Sequence, residues 1–467
     1  MIFTDSVYFV FFALVFALYW SVRNNMLRKV ILLSSSNIFY AAWDWRFLSL
    51  LWISTLVDYF VALQLSRTDA PNRRKLLLLI SLTSNLGMLG IFKYFSFFAD
   101  SFADLLTLFG MHATHTTLHI VLPVGISFFT FQTMSYTIDV YRKKLAVNTS
   151  LLDVSLFVAF FPQLVAGPIV RAAHFLPQLT AKRIWKNIPK QRYLLLFLSG
   201  FIKKSAIADN IAGVVDPIFA SPQLYDAPAM IAGVLLYAVQ IYCDFSGYTE
   251  MAIASAGLLG FKLPRNFRAP YLAVNITDFW RRWHISLSTW LRDYLYISLG
   301  GNRGTTLRRY GNIMTTMLLG GLWHGASWNF VLWGGLHGAY LVFHKLYLSA
   351  RTTPRSVALK NFVGWAATFY LTCLAWIFFR ASTMADAWVL LHSFTSLSST
   401  GDKSVGLWPF GIFLSLGLFH FVWHRLRLEL RLYHVNPYAF AMGYAVMWWL
   451  ALMFIPLSVR PFIYFQF

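Results

Sequence analysis

Three histidines stand in a stretch otherwise fit for a membrane interior: NIMTTMLLGGLWHGASWNFVLWGGLHGAYLVFH, residues 312–344, holds His324, His337 and His344. An ionisable ring at bilayer depth is costly and calls for a reason. The ordinary imidazole pKa, about 6.5, lies near physiological pH, so a histidine can take a proton from a hydroxyl as that oxygen attacks a carbonyl. His324 is the most pointed of the three, set between Trp323 and Gly325 with Gly320 and Gly321 just before. Small residues there would let a long, thin substrate approach. The same residues also read as a core histidine hydrogen-bonded across a small-residue helix interface, and composition leaves both readings open.

Just upstream, NITDFWRRWHISLSTWLRDYLYISLGGNRG, residues 275–304, lies in the longest polar interruption of the chain. Aromatics and arginines alternate too densely for a lipid-facing helix, so an amphipathic or buried element near the cytoplasmic surface is expected. Arg281, Arg282, Arg292, Arg303, Arg308 and Arg309 form a cationic set, and the bare backbone at Gly300, Gly301 and Gly304 suits close approach of a phosphate. An interfacial anchor with a glycine turn is the alternative. His420 and His424 have the spacing of two metal ligands on one helix face, but no glutamate stands between them as in a metalloprotease helix, and no metal site is expected. Cys243 and Cys373 sit in apolar runs and read as small buried hydrophobes. Asp244 and Glu250, also in an apolar run, mark either an ion path or hydrogen-bonded structural carboxylates. No Walker loop, dinucleotide fingerprint or G-x-S-x-G elbow is present.

These residues need a scaffold at membrane depth. Of 467 residues, 58% are hydrophobic and 12% charged, where soluble domains carry roughly a quarter charged, so a soluble globular protein is excluded. Aromatics at 18% and two cysteines exclude disordered and disulfide-framework classes. The net charge of +21 lies in short loops, which fits the positive-inside rule and not nucleic acid. Loops with Arg23, Arg28 and Lys29, with Arg67, Arg73, Arg74 and Lys75, and with Arg142, Lys143 and Lys144 are placed in the cytoplasm, and residues 100–117 and the N-terminus outside. Residues 7–22 read as a retained anchor, not a cleaved signal. Apolar runs follow at 30–42, 47–65, 76–99 and 118–141, the shortest of which, with Ser34, Ser35, Ser36 and Asn37, must pack within protein. A sixth run, 151–170, carries FFPQLVAGP at 160–168, which predicts a re-entrant or broken element, with a Pro-kinked helix as the alternative. Further runs cover 193–220, 228–261, 313–347, 362–379, 409–423 and 438–459. No repeat or soluble domain appears, so one integral-membrane domain, 1–467, is expected.

YCDFSGYTEMAI from Tyr242, DFWRRWHISLSTWLRDYLYISLGGNRG from Asp278 and TMLLGGLWHGASW from Thr316 resemble the signature region of the membrane-bound O-acyltransferases. LPVGISFFTFQTMSYTIDVYR from Leu122 and FFPQLVAGPIVR from Phe160 resemble the subfamily of bacterial alginate O-acetylation. The likeness reaches about Phe379, with a signature core at about 120–345. It implies an all-α helical bundle of about 11 transmembrane segments with re-entrant or interfacial helices and a central tunnel. It further implies a multi-pass protein of the bacterial inner membrane, with acetyl-CoA or another acyl thioester as cytoplasmic donor substrate and no bound cofactor. Carried over by position, the family's invariant histidine falls on His324 and its second tunnel histidine on His284. Arg281, Arg282 and Arg303 would face the donor phosphates. A periplasmic acetyltransferase or acyl-acceptor protein would pass the group on to a polysaccharide. D-alanyl transfer, or O-acetylation of peptidoglycan or cellulose, is the variant within the class. A solute transporter is the competing class, motivated by the broken segments and buried ionisable residues.

Overall fold

The computed structural model describes residues 3–111, 121–349, 357–426, 428–432, 435–456 and 460–463. The start of the expected run 118–141, part of the outer loop 100–117 and the end of the run 438–459 lie outside the described residues. Among the described residues the architecture is helical, with one isolated β-bridge between Tyr225 and Lys403. Four helices are long and apolar enough to cross a membrane: Asn25–Ser66, Pro71–Leu108, Ala227–Leu258 and Asn361–Arg380, with Ser6–Ser21 and Pro437–Met453 shorter but apolar. The protein is therefore a helical membrane protein. Its residues fall into two compact units, Met1–Ile188 with Ala252–Pro264, and Pro189–Met251 with Arg265–Phe467.

In the first unit the serine-rich run is a 20-residue helix, Asn25–Asp44, that buries Ser35 and Ser36 as expected and leaves Ser34 exposed. Ser36 Oγ donates to the Leu32 carbonyl at 2.7 Å and accepts from the Phe161 amide at 3.0 Å. That second bond falls in the broken element. The helix Leu151–Ala159 stops at Phe160, a single turn Phe161–Leu164 follows, and residues 160–170 are buried throughout. A broken backbone, not a kinked helix, is thus what Pro162, Gly167 and Pro168 produce. Its freed polar groups find protein partners, the condition for irregular backbone at membrane depth. Gly125 starts the helix Ile126–Tyr141 in the left-handed region (φ 77°), where a Cβ would meet the Leu164 carbonyl at 2.8 Å. Asp58, buried among three helices, accepts from Thr137 at 2.6 Å, from Asn85 at 2.7 Å and from Ser81.

The second unit opens with Lys190–Phe201, a wide π-helical stretch Ile202–Ala208 and Asp209–Ala220. Gly200 and Gly247 bring their helices together so closely that a Cβ on either would lie 2.5 or 2.6 Å from the other's carbonyl oxygen. The two membrane carboxylates resolve in favour of structure. Asp244 receives Lys204 at 2.7 Å and the Ile463 amide at 2.7 Å, Lys204 also reaches Asp209 at 2.6 Å, and Glu250 is held by Lys203 and by Ser199 at 3.0 Å. The apolar run 313–347 holds two elements, which form a helical hairpin, Thr306–His324 and Trp328–Ser349. Its partners Val357–Arg380, Met384–Ser396, Trp408–Arg425 and Pro437–Met453 complete the unit, Met384–Ser396 being the helix that apolar patterning missed.

Candidate active site

His324 is the last residue of its helix, beside the hairpin turn. The hairpin can be tight because its glycines carry no side chain. A Cβ on Gly321 would lie 2.2 Å from the Phe330 carbonyl oxygen, one on Gly334 would lie 2.3 Å from that of Met317, and one on Gly325 would enter the Phe330 ring at 2.0 Å. Of the two sequence readings, the small-residue helix interface is the one that Gly321 fits, while Gly325 makes room for the Phe330 ring. His324 is 4% exposed, and its ring lies 4.9 Å from Trp333, 5.0 Å from Trp323 and 5.2 Å from Phe379 between centroids.

His284 reaches the same place from the polar interruption. That stretch folds as three short pieces, Ile276–Arg282, Ile285–Trp290 and Leu291–Tyr296, the first capped by the Asn275 side chain, which accepts from the Asp278 amide at 2.8 Å. His284 joins the first two in the left-handed conformation (φ 39°), a strained state for a residue with a Cβ and worth about 1–3 kcal/mol. Its neighbours hold it there. Trp283 N–H donates to Phe279, Ile285 N–H donates to the Asn266 carbonyl at 2.9 Å, and the Asn266 side chain accepts from Ser286 N–H and Oγ. Asn266, buried at the edge of the site, is a positioning residue that no sequence motif singled out. The ring of His284 is 0% exposed, 6.4 Å from that of His324, 6.0 Å from Trp323 and 4.7 Å from Phe245. Burial disfavours its charged form and pulls its pKa down to about 3, so it is neutral at physiological pH.

The other candidates are placed apart from this pair. Trp333 stands between His324 and His337, which is boxed by Phe279, Trp280 and Trp333, while His344 Nδ1 bonds Thr277 Oγ1 at 2.9 Å. Arg282 is held by Asp278 at 2.9 Å, whereas Arg281 and Arg303 are exposed. Of the two readings of the glycines at 300–304, the structure favours the turn. Gly300, Gly301 and Gly304 take positive φ, and the amides of Gly300 and Gly301 are spent on the carbonyls of Ile297 and Tyr296, so they are turn formers. Among the described residues no group of three or more His, Cys, Asp or Glu side chains is placed to hold a metal ion. His420 instead packs on Tyr242, at 5.3 Å between ring centroids.

A pair of imidazoles walled by aromatics suits proton transfer at a hydroxyl or thioester. Comparison with known proteins shows the family. The model of the membrane-bound O-acyltransferase (MBOAT) family matches residues 38–388. The chain is 41% identical over 404 residues to the probable alginate O-acetylase AlgI of Pseudomonas aeruginosa, covering 85% of this chain and 76% of that protein. It is 38% identical over 404 residues to the peptidoglycan O-acetyltransferase of Helicobacter pylori, covering 80% and 75%. It is 28% identical over 286 residues to the teichoic acid D-alanyltransferase of Bacillus subtilis, covering 57% and 70%.

Proposed function

We propose that this chain, which belongs to the membrane-bound O-acyltransferase family and is an O-acyltransferase, moves an acetyl group from a cytoplasmic thioester across the bacterial inner membrane toward the hydroxyls of an exported, alginate-like polysaccharide. The observation that carries the reading is the convergence of His324 and His284, from separate elements, at 6.4 Å between ring centroids. At that separation one hydroxyl oxygen can sit at ordinary hydrogen-bond distance, about 2.8 Å, from a nitrogen of each ring.

In this mechanism His324 takes the proton of the acceptor hydroxyl as its oxygen attacks the thioester carbonyl. The carbon–sulfur bond breaks, and the thiolate takes that proton from His324 and leaves as the thiol on the cytoplasmic side. His284, kept neutral by burial, holds the acceptor oxygen or the proton's path. General-base help of this kind contributes about 100-fold to 10,000-fold in rate, and alignment in a dry site adds to it. Acetyl-CoA is the proposed donor, with its phosphates met by the exposed Arg281 and Arg303, and Arg282 placed beside them by Asp278. The reading takes residues 1–467 as one catalytic module of about 11 crossings around a tunnel. A periplasmic acetyltransferase or acyl-acceptor protein finishes delivery. Alginate is preferred as polymer because the AlgI relatives match at 41% identity over most of the chain.

The test is His324→Ala. Transfer of acetyl should fall by at least about 100-fold, with the protein still inserted and folded. Normal polysaccharide acetylation by this variant would refute the assignment. The polymer that loses its O-acetyl groups when the protein is removed identifies the acceptor.

A further inference from the structure

Among the described residues no hydrogen bond fixes the His284 ring. A histidine that works on protons is ordinarily oriented by an acceptor on one nitrogen, which also sets the tautomer. Here neither Nδ1 nor Nε2 of His284 has a protein partner among the described residues, so packing must orient the ring. The nearest described ring is Phe245, whose plane meets it at 78°. Phe245 is itself wedged, 5.0 Å from Phe267 and 5.5 Å from Phe462.

Phe462 belongs to the last described segment, residues 460–463, and is 0% exposed, with its ring also 4.7 Å from Tyr248. The segment is tied at three points. Arg460 pairs with Asp216, which also receives Arg380 at 2.9 Å. The Arg460 carbonyl accepts from Lys204 at 3.3 Å, and the Ile463 amide donates to Asp244 at 2.7 Å. Lys204 in turn neutralises Asp244 and Asp209. The buried charge cluster that looked like an ion path is thus an anchor for the C-terminal segment, and the residue it anchors leans on the ring that leans on His284.

We propose that residues 460–463 form a positioning strap for the active site. Phe462 presses Phe245 against His284 and sets the imidazole direction that hydrogen bonding leaves open, while Lys204 and Asp244 clamp the strap. The proposal rests on His284 being a member of the active site.

Phe462→Leu in the purified full chain tests it, because leucine keeps most of the apolar volume but not the flat ring. The control is Phe201→Leu, a buried phenylalanine of the same unit that packs on Trp448, away from the histidines. Initial rates of acetyl release from acetyl-CoA across donor concentrations are measured with thermal melting in detergent. Phe462→Leu should lower kcat by about 10-fold to 100-fold, the scale of an ångström-sized misplacement, with donor KM unchanged and melting lowered no more than in Phe201→Leu. Wild-type kcat in Phe462→Leu, or equal kcat losses in the two variants, overturns the strap. His284→Ala separates the two levels of the argument. If it runs at the wild-type rate, the site reading beneath the proposal fails; if it is impaired while Phe462→Leu is not, only the strap fails.

Discussion

Adding one methyl group at Gly321 should disable this enzyme out of proportion to its size. A Cβ there would stand 2.2 Å from the Phe330 carbonyl oxygen, about 1.2 Å short of the 3.4 Å at which ordinary contact begins. Gly334 is 3.1 Å away in the same crossing, so the obstacle is backbone that no rotamer can move. The two helices must part by about an ångström where they carry the proposed catalytic histidine, for His324 follows three residues after Gly321 and Trp333, 4.9 Å from the His324 ring, lies on the partner helix. A displacement of that size costs about 100-fold in rate, equivalent to about 2.7 kcal/mol in the barrier. The overpacking itself should cost about 1–3 kcal/mol of stability. Gly335→Ala is the matched control, since its Cβ would meet nothing nearer than Leu318 Cδ2 at 3.5 Å. The assay is acetyl release from acetyl-CoA by detergent-purified protein at saturating donor, with melting recorded in parallel. If Gly321→Ala runs at the rate of Gly335→Ala, the hairpin does not hold His324 in register and the reasoning fails.

Two further outcomes are expected. Lys204→Met leaves Asp209 and Asp244 without their cation and should lower stability by about 3–5 kcal/mol, read as a large drop in melting temperature; an unchanged melt would show that the cluster is no anchor. His284, whose pKa falls from 6.5 to about 3 on burial, binds its proton in the unfolded chain before it does so in the folded one. Its contribution to stability is therefore complete above about pH 6.5 and lost as pH falls toward 3, at up to about 1.4 kcal/mol per pH unit. The melting temperature of His284→Phe should fall less steeply than wild type between pH 7 and pH 5, and parallel curves would contradict the buried, neutral ring.

Much of the scaffold was legible because membrane constraints are strong and local. Apolar runs of spanning length, arginine-bearing loops and a proline-glycine break each follow from what a bilayer tolerates. Hence the broken element after Ala159 and the inward Ser35 and Ser36 of Asn25–Asp44 stand where patterning put them. His324 was visible as an ionisable residue in an apolar run, and the resemblance of its motif to a family supplied His284. What patterning missed is the material between runs. The hairpin turn after His324 hides inside one continuous apolar stretch, and Met384–Ser396 is too short to register as a span. The glycines stayed undecided for a related reason: bareness in a sequence does not say whether a ligand, a turn or a neighbouring helix takes the space.

The sequence by itself determined that this chain lives in a membrane, that it is helical, and that an imidazole sits where water is scarce, because hydropathy and charge are properties of neighbouring residues along the chain. Only the tertiary structure decided which groups meet. Asn266, Phe245, Phe379 and Phe462 surround or support the two histidines, yet they lie from 18 to 178 positions away from His284 in the chain. Their types are unremarkable among 44 phenylalanines. Contact between residues so far apart is fixed by close packing of the whole unit, and no local pattern records it.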